Sequence, residues 1–227
     1  MTQTLECKSV SKGVGRGRER SQILDRFDYV FPSSAITVVT GPSGAGKSTL
    51  LSLIGALARP DEGEVVLPGH RITASTTRKH LIAIRRTQIG FLFQSSGLIN
   101  ALTAEHNVRL PLSYSREPDS AVHSRVHCAL ERYGLAQRAQ ARVAALSGGE
   151  RHRLALARIY AQRAPWLICD EPTTGLDPDW VEQVISDLKG HAADGVGVII
   201  ASHDSRVVAA ADQRLHLTTP QPDGARV

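Results

Sequence analysis

The sequence predicts an α/β fold: a parallel sheet core, an antiparallel β portion towards the N-terminus, and a helical lobe inserted between core strands. Three observations carry that expectation. Short apolar runs at 35–39, 166–169 and 196–201 have the length and composition of strands buried on both faces. Phe27, Tyr29 and Phe31 alternate with Arg26, Asp28 and Val30, the pattern of a half-buried strand ahead of that core. From about 95 to 160 the pattern turns helical, with Val122, Val126, Ala129, Leu130 and Tyr133 on one face and Gly134 placed to end it.

Composition bounds the reading. A chain of 227 residues with 41% hydrophobic content has enough material for one well-buried domain. No apolar run approaches the roughly 20 residues of a membrane span, and the first residues lack the character of a signal peptide, so a cytoplasmic location is expected. Cys7, Cys128 and Cys169 are scattered and odd in number, which suggests neither a disulfide framework nor a zinc site. A net charge of +5 suits an anionic surface, but so mild an excess reads as solvated surface, and no nucleic acid is expected as a partner.

In chain order, 5–10 reads as a first strand and the glycine- and arginine-rich 13–18 as a loop. Val65, Val66 and Leu67 run into a Pro68-Gly69 turn, and with the 27–31 strand they complete a small antiparallel sheet. A short apolar strand over 89–93 ends in Gln94. Leu154, Ala157, Arg158 and Ala161 continue a helix from Ser147, and Val181, Val184, Ile185 and Leu188 keep helical spacing between two core strands. Leu215 and Leu217 alternate before a last turn at 222–224. The core is expected at about 1–94 and 161–227, and the lobe at about 95–160.

The stretch Gly41-Pro42-Ser43-Gly44-Ala45-Gly46-Lys47-Ser48-Thr49 follows a strand and opens a helix. Gly41, Gly44 and Gly46 permit backbone angles that let successive N–H groups turn inward around phosphate oxygens. The helix beginning near Lys47 adds its positive end. Lys47 is placed for β- and γ-phosphates and the Ser48 hydroxyl for Mg²⁺, so this is a P-loop and a nucleoside-triphosphate site. Asp170 closes the 166–169 strand at its carboxyl end, where α/β sheets bind ligands, and is placed to hold Mg²⁺. Glu171 is placed to polarise the water that attacks the γ-phosphate. Ser147, Gly148 and Gly149 open a helix and offer N–H groups and a hydroxyl to an anion, but a plain helix cap reads equally well.

The order of the P-loop, Gln94, Leu146-Ser147-Gly148-Gly149-Glu150, Asp170-Glu171, Gly175-Leu176-Asp177 and His203 resembles the ATPase domains of ABC transporters over nearly the whole chain. The run from Arg85 to Gln94, with Glu150, is most similar to the branch serving macrolide export, lipoprotein release and peptide-antibiotic resistance. The resemblance implies a RecA-like P-loop NTPase core, ATP and Mg²⁺ as ligands, and two copies closing head to tail over two ATP. Ser147, Gly148 and Gly149 of one copy would then meet the γ-phosphate held by Lys47 of the other, with Asp177 across the seam. Gln94 would sense Mg²⁺ and the attacking water, and His203 would hydrogen-bond the γ-phosphate. A separately encoded membrane permease would dock near 95–103, holding the chain at the inner face of the membrane.

The chain departs from the family pattern in places. Val14 stands where an adenine-stacking aromatic is usual, so that either Arg16 or Arg18 stacks on the base or the contact is loose. Arg151-His152 replaces two glutamines, and His106 replaces a glutamate before Asn107. His123 and His127 share a helical face without a third ligand, which favours an exposed face over a metal site. The rival reading is a soluble ABC ATPase acting on DNA or ribosomes. Against it, Gln94 and Leu146 are only about fifty residues apart, leaving no room for a long coiled coil. A non-hydrolysing regulatory subunit is disfavoured by Glu171 and His203.

Overall fold

The computed structural model describes residues 3–15, 21–115 and 117–218. Two sheets form the scaffold. One is antiparallel and contains β1 (Thr4–Val14), β2 (Ser21–Pro32), β4 (Glu62–Leu67) and β5 (His70–Ile72) in the order β2-β1-β4-β5. The other holds β6 (Ile89–Leu92), β7 (Trp166–Asp170), β8 (Gly197–Ala201), β3 (Ala35–Thr40) and β9 (Gln213–His216) in the order β6-β7-β8-β3-β9, every neighbouring pair parallel. Because Thr37 pairs with Ile199 and Asp170 with Ala201, the carboxyl ends of β3, β7 and β8 finish at one edge.

The first strand corrects the sequence reading. Gly13 and Val14 belong to β1, paired with Gln22 and Ser21 of β2, rather than to a loop beginning at 13. Cross-strand pairing overrides the polar composition there, and the register is irregular between Cys7 and Gly13. Arg16, Arg18 and the expected turn at 222–224 lie outside the described residues.

Seven helices connect the strands among the described residues: α1 (Lys47–Ile54), α2 (Arg78–Thr87), α3 (Ala104–Arg109), α4 (Asp119–Arg132), α5 (Gly148–Gln162), α6 (Pro178–Ala193) and α7 (Ser205–Ala209). The period-2 geometry of the parallel strands divides the core. Trp166 and Ile168 of β7 face a cluster with α1 and the antiparallel sheet, including Leu50, Leu53, Leu5 and Phe31. Leu167 and Cys169 face the opposite cluster with α4, α5 and α6, including Leu130, Leu154 and Val184. Each fully buried aliphatic side chain contributes about 1.5–3 kcal/mol, so both faces of the sheet must be covered.

Two details fix how the helices sit. Gly197 passes beneath the buried Trp166 ring so closely that a Cβ there would lie 2.1 Å from Cζ3. Asp187 of α6 is buried and receives Arg132 and the Tyr133 hydroxyl, the latter at 2.7 Å, which locks the end of α4 onto α6. After α4 the chain turns at Gly134 in the left-handed region, φ 65°. Among the described residues no helix is long and apolar enough to cross a membrane.

Candidate active site

The segment between β3 and α1 forms one wall of a cleft of about 680 Å³ at the carboxyl edge of the parallel sheet. Gly46 caps α1 in the left-handed conformation, φ 91°, and a Cβ there would meet Ile23 at 2.6 Å, so the loop lies against β2. Gly44, also at positive φ, faces open space. Helix α1 has neither a side-chain N-cap nor an acid in its first turn. Its first N–H groups and its positive end therefore remain available to an anion. Lys47 Nζ donates to the carbonyls of Gly41 at 2.7 Å and Pro42 at 2.9 Å, which curls the ammonium over the loop. Ser43 and Thr49 line the same wall, while Ala45 is buried beneath it.

The opposite wall comes from the ends of β7 and β8. The Ser48 hydroxyl donates to Asp170 Oδ2 at 3.2 Å. Burial raises the Asp170 carboxyl above its ordinary range, the Ser48 bond opposes that rise, and the neighbouring Glu171 adds to it. Glu171 is left-handed at φ 53°, and its N–H donates to the Ala201 carbonyl at 2.9 Å. One carboxylate oxygen of Glu171 accepts from Ser202 Oγ at 3.1 Å and the other meets His203 Nδ1 at 2.8 Å. That bond to Glu171 raises the His203 imidazole above its ordinary value, although the ring is 85% exposed. Gln94 completes the cleft, with Val14 and Ile23 also on its lining.

Ser147, Gly148, Gly149 and Asp177 do not line this cleft. Ser147 caps α5 in a reciprocal box with Glu150: Ser147 Oγ accepts from Glu150 N–H at 3.2 Å and Glu150 Oε2 accepts from Ser147 N–H at 2.8 Å. The bond from Ser147 N–H holds the Glu150 carboxyl below its ordinary range. Gly148 and Gly149 face open space. Asp177 caps α6, accepting from Trp180 N–H at 3.1 Å.

Several contributors carried no independent sequence signal. Ser202 was findable as the residue ending an apolar strand just before His203, but nothing in the sequence pairs its hydroxyl with Glu171. Arg158, half-buried on α5, donates to the carbonyls of Gly97 at 2.7 Å and Ser96 at 2.8 Å, holding the segment after Gln94. Asn107, fully buried, fixes Ile99 through both its amide groups. His152 of α5 lies 2.7 Å from the Pro172 carbonyl. His123 and His127 stand on an exposed face near Glu105 and Glu131, and the described residues contain no group of three or more His, Cys, Asp or Glu fit for a metal ion.

A family model described as ABC transporter matches residues 24–174. The chain belongs to that family. Among ABC transporter relatives, the macrolide export ATP-binding/permease protein MacB of Photorhabdus laumondii is 33% identical across 96% of this chain and 33% of its own length. The ABC transporter ATP-binding protein YknY of Bacillus subtilis is 34% identical over 89% of this chain and 88% of its own. The chain thus spans a third of the MacB protein it matches and most of YknY. Among solved structures, the dimeric post-hydrolysis state of an ATP-binding cassette bound to ADP and Pi superposes with a TM-score of 0.87, at 31% identity, over 98% of this chain and 99% of that one. The parallel sheet with its antiparallel β portion is the fold of such ABC cassettes.

Proposed function

We propose that this chain binds ATP with Mg²⁺, hydrolyses it, and works as the ATPase subunit of an ABC transporter, two copies closing head to tail to drive a membrane permease. One observation carries the reading. Lys47, the Ser48–Asp170 pair and a Glu171 bonded to His203 and Ser202 converge on one cleft, whereas the N-terminus of α5 and Asp177 remain outside it with open glycines. Such a half-site is completed by a second copy.

The residues fit the ligands. The open space at Gly44 and the uncapped start of α1 suit a polyphosphate, with Lys47 leaving its loop carbonyls to follow the charge. Ser48, Gln94 and Asp170 form an oxygen-rich set that suits Mg²⁺, which when bound neutralises phosphate charge. A carboxyl pushed up by burial, as Asp170 is, gains most from a cation beside it. Glu171, oriented by Ser202 and His203, accepts a proton from the attacking water. His203 serves as a hydrogen-bond donor to the γ-phosphate. Val14 and Ile23 supply apolar contact for the base in place of a stacked aromatic.

Mechanically, we divide the chain into a core at about 1–94 and 161–227 and a lobe at about 95–160. The permease would meet the segment 95–103, where Ile99 is exposed beside the carbonyls held by Arg158, and it would keep the chain at the inner face of the membrane. The names of the relatives, which are transport proteins, favour this over action on DNA or ribosomes.

Glu171→Gln tests the reading. It should abolish hydrolysis and trap a dimer with ATP and Mg²⁺, seen by sedimentation. A variant that remained monomeric at high concentration, with permease present too, would sink the closure model; a wild-type chain without ATPase activity would sink the enzyme.

A further inference from the structure

Glu171 is held in an unfavourable backbone conformation. A non-glycine residue at φ 53° lies in the left-handed region, which its Cβ disfavours. Such a state persists only where its surroundings fix it. Three contacts do so. The Glu171 N–H is bonded to Ala201 of β8, and Thr173 Oγ1 donates to Asp204 Oδ2 at 3.1 Å. The third lies between them: Pro172 has no N–H, so its carbonyl is the hydrogen-bonding group its backbone offers, and His152 Nε2 stands 2.7 Å from that oxygen. The first two contacts come from the β8 side of the core. The third comes from α5, the helix whose first turn is Ser147 to Glu150.

We infer that His152 is a positioning residue for hydrolysis: its Nε2–H holds the Pro172 carbonyl, and so ties the seating of α5 to the backbone that aims Glu171. The inference rests on Glu171 acting as the proton acceptor. His152 lies five residues beyond Ser147 on the same continuous helix, so displacement of the helix start by a second copy is carried to Pro172 without an intervening loop. In each copy, nucleotide contact at the partner's site would thereby adjust the copy's own Glu171. The histidine at this position then has a reason. Its Nε2–H donates in the neutral ε tautomer and in the imidazolium alike, and the side-chain amide of a glutamine offers an equivalent N–H.

The test uses three variants of the full chain with ATP and Mg²⁺: His152→Leu, His152→Gln and Glu171→Gln. His152→Leu should lower kcat about tenfold with the KM for ATP within about twofold, because an aligning bond is lost and the P-loop contacts are kept. His152→Gln should return kcat to within about threefold of wild type. Binding of a fluorescent ATP analogue and thermal melting show that the Leu variant is folded and loaded; if it is not, the Gln variant decides, since a folded amide donor with the tenfold defect overturns the inference. Wild-type kcat in the Leu variant, or a change confined to KM, also overturns it. Hydrolysis at the wild-type rate by Glu171→Gln would instead remove the base assignment, and that outcome is separate from the behaviour of position 152.

Discussion

Replacing Tyr133 by phenylalanine removes one oxygen from the joint between α4 and α6. The Tyr133 hydroxyl donates to Asp187 Oδ2 at 2.7 Å, whereas Arg132 Nε and Gln183 Nε2, each at 2.8 Å, both meet Oδ1. The substitution therefore strips Oδ2 of this bond at a residue only 5% exposed. The ring itself stays, packed 6.4 Å from Trp180 and 6.1 Å from Tyr160 between centroids. Burial pushes the Tyr133 hydroxyl well above its ordinary value, so it remains a donor throughout the neutral range. Hydrogen bonds to charged groups are worth about 1.5–3 kcal/mol. For a chain of this size each kcal/mol moves Tm by about 2–4 °C, giving an expected fall of roughly 4–8 °C for ~2 kcal/mol. Scanning calorimetry without nucleotide, at fixed protein concentration, measures it. Asp187→Ala should fall further, because it removes the acceptor of Arg132 and Gln183 as well as that of the Tyr133 hydroxyl. A Phe variant within about 1 °C of wild type, or an Ala variant milder than the Phe variant, would refute the reasoning.

Two other expectations follow from the structure. His203 is raised by its bond to Glu171, so the stabilisation from that pair is complete below the ordinary imidazole value and is lost as pH rises through the raised one. An NMR titration should show the His203 ring titrating at lower pH in Glu171→Gln than in wild type; equal midpoints would mean that Glu171 is not the cause. Gly197→Ala should destabilise the chain by about 3 kcal/mol, read as a lower urea midpoint at unchanged slope, since its Cβ would fall 2.1 and 2.3 Å from two carbons of a Trp166 ring that is fully buried. An unchanged midpoint would show that the ring can move.

Residues whose position follows from local rules were legible in the sequence. Glycines at 41, 44 and 46 before Lys47 announce their loop, and apolar runs such as 197–201 announce strands, because backbone freedom and burial leave marks on composition. Helix α2 leaves no such mark: it buries only Leu81 and Ile84, too few apolar positions to show a period against five basic residues. The strand character of Gly13 and Val14 is hidden for another reason, since their glycine- and arginine-rich surroundings speak of a turn, while the cross-strand pairing with Gln22 and Ser21 leaves no mark on composition. In the site, the residue types were readable but their partners were not. Ser202 on Glu171, Arg158 on the segment after Gln94 and His152 on Pro172 are long-range contacts. Nothing at one position specifies an acceptor far along the chain.

Helix α5 is gripped at three heights: at Ser147 by its capping box, at His152 by Pro172, and at Arg158 by Ser96 and Gly97. These points lie on a rod with a fixed pitch, where each added residue turns everything beyond it by about 100°. A single inserted or deleted residue between Ser147 and His152 would swing both later side chains off their carbonyls while leaving the helix itself intact. The interval from 147 to 158 is thus constrained in length as strictly as a gear is in tooth number, even at positions whose side chains face water and tolerate exchange.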